Sequence, residues 1–453
     1  MTSPPLLHIA CASGFSGDRY DGALDLVQEL IQRGGGYLIF ETLAERTLAL
    51  AQLAYDQDPS QGYEPLLNNM LEPVLSLCLQ HGIRIVSNFG AANPAGAAAA
   101  IEQLCLQLGL RCPRIAIVYG DKLHSVEQRQ LLRQRLDTDI EQLEILSANA
   151  YIGATEIAAA LQAGADIVVA GRVADPSLTV GPAMAHFQWS WQDWQRLARA
   201  TMAGHLLECG TQVTGGYFAI PGLKEVSGLD RTGFPIATLD HDGNCWISKA
   251  PYTGGLISTR TVTEQLLYEV HDPAQYLTPD VIADISCAQL EQTAPDVVLL
   301  TGVQGHPRPD ELKVNVCFHN GWLAEAEISY AGIQAKERAL MAADIVCKRL
   351  PSELFIRVDL IGALSILNND AGTLSYPETA PSQDIRLRLA CSHHDHQLAS
   401  RLLHEVGALY TCGPAGGGGV RTHLRRRIST LSCTIPRIDI QTGWYFYEPK
   451  ETP

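Results

Sequence analysis

The chain has 453 residues, 46% of them hydrophobic and 18% charged, with a formal net charge of −16. That length and balance exclude a disordered chain and fit two domains or one large α/β domain. The acidic surplus excludes nucleic acid as a main partner, because a phosphate-binding surface needs clustered Lys and Arg. The one basic cluster, His423-Leu-Arg-Arg-Arg427, is short and reads as a solvated strand start. The N-terminus has no basic n-region and no long apolar h-region, and no apolar run reaches the roughly 18 residues of a membrane span. Twelve scattered cysteines without a Cys-x-x-Cys pair read as reduced thiols. A cytoplasmic protein with no membrane contact is expected.

In chain order, the first half repeats one grammar. Candidate strands cover residues 6–12, 37–40, 83–87, 115–119 and 167–170, and helical patterns follow them, as at 97–108. Continuous β-branched runs alternating with helices predict a mostly parallel, doubly wound sheet in an α/β domain over residues 1–222. In such sheets ligands bind beyond the carboxyl ends of the strands. Those ends carry Ser13, Asp18, Arg19, Glu41, Asn88, Asn93, Arg172 and Asp175. The opposite ends, at 32–36 and 80–82, look like plain helix stops.

After Gly222 the grammar changes. Residues 236–239 and 245–249 read as a hairpin, and 312–318 with 322–330 as another around an Asn-Gly turn. A helix is predicted over 334–349, strands over 355–361 and 385–391, and a helix over 396–410. This mixture predicts an α+β domain over 223–453 that packs closely on the first.

Chemistry-bearing residues fall in four places. In Gly14-Phe-Ser-Gly17-Asp18-Arg19, glycines at a strand-to-helix turn free backbone N–H groups, and Arg19 could clamp an anion. The loop is not a dinucleotide fingerprint, and an Asp18 helix cap beside a surface arginine is the plain alternative. In Gly171-Arg172-Val-Ala-Asp175-Pro176, Asp175 could cap a helix, whereas Arg172 has no such structural role. In Gly413-Pro-Ala-Gly416-Gly417-Gly418-Gly419, the run could form an N–H nest for a thioester oxygen, a mobile lid or a flexible turn.

The fourth place is the richest. Ala203-Gly-His205-Leu-Leu-Glu208-Cys209-Gly-Thr-Gln212 puts His205, Glu208 and Cys209 at i, i+3 and i+4, on one helix face. A helix end with a buried Cys is the alternative. His205-Leu-Leu-Glu208-Cys209 is a distant variant of an inverted zincin motif, so a metal-dependent hydrolase is a weaker option. His393-His-Asp-His396 reads as an exposed helix start. Trp189, Trp191 and Trp194 read as core or subunit interface. No motif asks for a cofactor or a metal.

Together these residues resemble the AtuA-like family, named from acyclic terpene utilisation. The matching pieces are Gly17-Asp-Arg19, Leu43-Ala-Glu-Arg46, Asn88-Phe-Gly90, Asn93-Pro94, Gly171-Arg172 with Asp175, and Ala203 through Gly210. Further on come His271-Asp-Pro273, Tyr276-Leu-Thr-Pro279, Gly321-Trp322, Ala324 through Tyr330, and Gly413 through Gly418. The resemblance implies metabolism of branched terpenoid acids as CoA thioesters. Longer members carry a C-terminal ferredoxin-like domain, which this sequence is expected to lack.

The leading expectation is an enzyme of branched acyl metabolism, a lyase or hydratase acting on an acyl-CoA or related carboxylate. His205 is the expected base, with Glu208 or Cys209 as partner and Asp18 next in line. Arg19 and Arg172 would hold a carboxylate, and Gly416, Gly417 and Gly418 the oxyanion. Ser13, Gly17, Asn88, Asn93, Asp175 and Gln212 complete the expected substrate contacts. A non-catalytic ligand-binding or assembly subunit is the alternative. A homo-oligomer is expected.

Overall fold

The β-branched runs of the first half form strands at Leu7–Cys11, Tyr37–Phe40, Arg84–Ser87, Ile115–Tyr119 and Ile167–Val169. A computed structural model describes residues 6–136, 143–369 and 383–448. In it these five strands pair in parallel, with Ile167–Val169 inserted between Arg84–Ser87 and Ile115–Tyr119. They are buried almost throughout, which is why their sequences are continuous apolar runs rather than alternating ones. The helix Pro94–Gln107 opens on a proline, with Asn93 capping it by accepting from Gly96 N–H at 3.0 Å.

The same sheet continues on both sides with reversed direction. Pro235–Leu239 pairs antiparallel with Leu7–Cys11, and Cys245–Lys249, Val297–Thr301 and Gln289–Ala294 follow outward. Gly443–Phe446 pairs antiparallel with Ile115–Tyr119 on the other edge. The result is a ten-stranded mixed sheet with a parallel centre. The change of grammar after Gly222 therefore marks a change of strand direction within one sheet. The chain divides elsewhere. One compact unit holds the described residues up to 136, Ile145–Cys317 and residues 430–448, and the other holds Phe318–Ser429 with residues 143–144. The expected division of 1–222 from 223–453 differs from this, because hairpin Pro235–Lys249 extends the first sheet rather than starting a second.

In the second unit, Arg357–Ile361, Asp384–His393 and residues 322–331 of the long strand Glu311–Ala331 pair antiparallel. Ala324, Ala326, Ile328 and Tyr330 alternate into a core shared with helices Ala335–Arg349 and His396–Cys412. The expected hairpin at His319-Asn-Gly321 is absent, since Glu311–Ala331 runs unbroken through it. Gly321 has φ +73°, and a Cβ there would stand 2.6 Å from the His393 carbonyl oxygen. The glycine serves that close approach, not a hairpin turn. Asp395 caps His396–Cys412, accepting from Gln397 and Leu398 N–H. Among the described residues, no helix is long and apolar enough to cross a membrane.

Candidate active site

Helix Trp194–Glu208 is buried along its last turns, and its C-terminal end is gripped from two sides. A Cβ on Gly204 would stand 2.7 Å from Cα and O of Pro176. A Cβ on Gly14 would stand 2.5 Å from the Cys209 carbonyl carbon. Glycine at these two positions lets the loops after the first and last parallel strands touch the helix end. A cavity of about 850 Å³ opens there, within the first unit. It lies beyond the carboxyl ends of the parallel strands, as their topology directs.

Glu208 lines this cavity, and His205 lies one turn behind it, 1% exposed. Nδ1 of His205 stands 2.9 Å from Oε1 of Glu208 and 3.3 Å from the hydroxyl of Tyr276, which also lines the cavity. Nε2 of His205 and Oε2 of Glu208 are buried without a hydrogen-bond partner. Burial, opposed by the His205 charge, pushes the Glu208 carboxyl up to about 7. Burial alone would lower His205, but the Glu208 carboxylate beside it outweighs this and raises it. The two titrate as a pair. Burial raises Tyr276 well above the usual phenol range, so its hydroxyl stays a donor. Cys209 also lines the cavity, and burial pushes its thiol up to about 12, which leaves it protonated at neutral pH.

A second cluster meets the cavity through Arg172. Its guanidinium donates from Nε to Val173 O at 3.0 Å, from Nη1 to Leu43 O at 2.6 Å, and from Nη2 to Asp175. It also lies 4.4 Å from the centre of the Tyr151 ring. Glu41 is buried and accepts from Leu43 N–H at 2.7 Å and from Asn88 Nδ2 at 2.8 Å. Burial and then the Asp175 charge hold its carboxyl well above the ordinary range. Glu45 goes the other way. Burial would raise it, but a hydrogen bond from Tyr151 and other partners bring it down to about 2.

The expected site residues separate clearly. Asp18, Arg172, Asp175, Glu208, Cys209 and Gln212 line the cavity. Ser13 is buried and donates to Glu41 O at 2.8 Å, and Asn88 supports Glu41 and Thr42, so both stand behind the wall. Gly17 is exposed with φ +94°. Arg19 pairs with Asp21 at 2.9 Å, and Asn93 caps its helix beside a different cavity. Gly416, Gly417 and Gly418 belong to the second unit. Among the described residues, no three His, Cys, Asp or Glu side chains gather as a metal-holding group.

Sequence reasoning passed over Tyr151, Tyr268 and Lys313, and met Glu45 and Tyr276 only inside segments that resemble the family, without giving them a role; all five line the cavity. Lone tyrosines and a strand lysine carry no spacing signal. Glu41 was marked only by its place after the second strand. Carboxyl groups outnumber cations in the lining: Asp18, Glu41, Glu45, Asp175, Glu208, Glu269 and Glu311 stand with only Arg172 and Lys313.

The fold and site together define a mixed α/β protein with a buried carboxyl–imidazole pair at a strand-end cavity. Residues 7–446 match the family model described as acyclic terpene utilisation family protein AtuA, and the chain belongs to that family. The family's role is acyclic terpene utilisation. No curated protein matches the chain.

Proposed function

We propose that the protein is an enzyme of branched acyl metabolism that moves a proton beside a thioester carbonyl, in a lyase or hydratase reaction. One observation carries this reading. A carboxyl group pushed up to about 7 lines the cavity, with one oxygen bound to buried His205 and the other unpartnered. A general base is most effective with a pKa near the working pH. Glu208 takes the proton and becomes neutral, and His205 positions the carboxylate and balances its charge before the transfer. The Tyr276 hydroxyl donates to the carbonyl oxygen as negative charge develops there.

Both reaction types use these parts. In a lyase, Glu208 removes the 3-hydroxyl proton, the C2–C3 bond breaks, and its electron pair passes to the thioester as an enolate that is reprotonated at C2. In a hydratase run towards dehydration, Glu208 removes a C2 proton, and the C3 hydroxyl leaves with a proton as water. The lining's acidic excess favours an uncharged thioester end over a free carboxylate, which the carboxyl groups would repel. Arg172 has three donors committed to the protein, so it acts as the holder of Asp175 and the 43–45 turn. The meeting of the 203–212 segment with the loops at 14–18 and 172–176 supports an enzyme over a passive binding subunit.

The test is incubation with branched 3-hydroxyacyl-CoA thioesters and mass spectrometry of the products. Cleaved or dehydrated thioester is expected with the natural chain, and about 10²–10⁴-fold less with Glu208→Gln at an unchanged melting temperature. Equal product from both overturns the reading.

A further inference from the structure

A second concavity in the first unit has a character opposite to that of the main cavity. It is a groove of about 560 Å³ lined by Trp191, Trp194, Arg308, Asp310, Arg437 and Ile438, with two prolines. The Arg308 guanidinium carbon sits 4.4 Å from the centre of the Trp191 ring. Trp191 and Trp194 meet edge to face with centroids 5.7 Å apart, and Trp191 remains 43% exposed. Arg437 is half-buried; its Nη2 donates to Pro279 O at 2.6 Å and to Pro309 O at 3.1 Å, and its Nε to Pro309 O at 3.3 Å, so Nη1 is the donor left for a ligand.

Two guanidinium groups are held near one another here. Burial, and then the charge of Arg308, lower Arg437 to about 10. Asp280 and Asp310 pull the other way. Among the described residues neither arginine forms an ion pair, although Asp310 lines the same groove. In a chain of net charge −16, two arginines left without a carboxylate partner, beside exposed indole, form an anion site with a stacking surface.

We propose that this groove binds a nucleotide, with its phosphates on Arg308 and Arg437 and its base against the Trp191 and Trp194 rings. A lone phosphate would use only the arginines, and an apolar ligand only the rings.

The groove also shares a wall with the main cavity. Arg308 and Asp310 line the groove, while Pro309 and Glu311 line the cavity. Pro279, whose carbonyl accepts from Arg437, lines the cavity too. Resting on the thioester reading of Glu208, the nucleotide is then the distal end of a CoA-type substrate whose acyl end reaches the cavity. This would place the anionic phosphates outside a lining rich in carboxyl groups.

The test is titration of the full chain with adenosine diphosphate, followed by tryptophan fluorescence and calorimetry, beside adenosine, inorganic phosphate and coenzyme A. Saturable quenching by the diphosphate is expected, with weaker binding of adenosine or phosphate alone. Coenzyme A should bind at least about tenfold more tightly. Arg308→Gln should weaken the diphosphate about tenfold or more, the effect of one charged hydrogen bond, with the melting temperature held. Glu208→Gln should leave diphosphate binding unchanged, so failure of the catalytic reading stays distinguishable from failure of the groove. No saturable binding, or equal affinity in Arg308→Gln, overturns the proposal. Equal affinity for the diphosphate and coenzyme A assigns the groove to a free nucleotide and overturns its link to the cavity. Self-association that Arg308→Gln abolishes, without nucleotide binding, overturns it in favour of a second copy of the chain.

Discussion

Oε1 of Glu208 meets Nδ1 of His205 at 2.9 Å, yet only Glu208 lines the cavity. In the proposed reaction this order gives proton transfer to the carboxyl group and positioning to the imidazole. His205→Asn should therefore shift the pH profile of turnover rather than abolish turnover. Without the His205 charge, which opposes the effect of burial, the Glu208 carboxyl should titrate higher still, and the acid-side limb, along which the base loses its proton, should move up in pH. A turnover profile with the natural midpoint would show that His205 does not tune Glu208.

Gly14→Ala should destabilise the protein and disturb the cavity together. The added carbon would stand 2.5 Å from the Cys209 carbonyl carbon and 2.8 Å from the Gly210 nitrogen, both backbone atoms, so the backbone itself must shift. Overpacking of this kind costs about 1–3 kcal/mol. Thermal unfolding should shift down by several degrees, and an unchanged melting temperature would show that the two loops slide freely.

Arg172→Lys keeps the charge but not the geometry. Lysine cannot reach Val173 O, Leu43 O and Asp175 together, so buried acceptors lose their donors. Each costs about 1–3 kcal/mol if left unmet. The urea midpoint should fall clearly, with weaker substrate binding as a consequence. A full-stability variant with selectively lost binding would instead make Arg172 a direct ligand contact.

His8 supplies a pH dependence far from the cavity. Burial, and then the Arg33 charge, lower its imidazole to about 4. The folded state thus resists a proton that the unfolded chain accepts from about 6.5 downward. Stability associated with neutral His8 is present above pH 6.5 and lost as pH falls towards 4, with a slope up to about 1.4 kcal/mol per pH unit. Denaturant unfolding across this range should show a shallower slope for His8→Gln than for the natural chain. Identical slopes would contradict the shift.

The parallel centre of the sheet was legible because buried parallel strands are written as unbroken apolar runs, as in Tyr37–Phe40. The crevice followed from those strand ends. Pro235–Leu239 was legible as a strand, but nothing local says that it returns to Leu7–Cys11, since such a pairing is set by tertiary packing. His319-Asn-Gly321 misled because a positive φ at glycine serves a close approach as well as a turn. Glu208 and His205 were legible by helical spacing. Which of them reaches the cavity is set by tertiary packing, which helical spacing does not carry. Tyr276 was marked only by the family resemblance of its segment, and its role was not legible because it arrives from a strand distant in sequence from His205.

The most direct measurement is hydrogen exchange at C2 of a saturated branched acyl-CoA in heavy water. Such a thioester lacks the 3-hydroxyl group, so it cannot complete cleavage or dehydration, and only the proton transfer is read. With Glu208 as the base beside the carbonyl, the natural chain should incorporate deuterium at C2, and Glu208→Gln should do so at least about 100-fold more slowly. Absence of exchange with the natural chain, or equal exchange in the folded variant, would contradict proton transfer by Glu208.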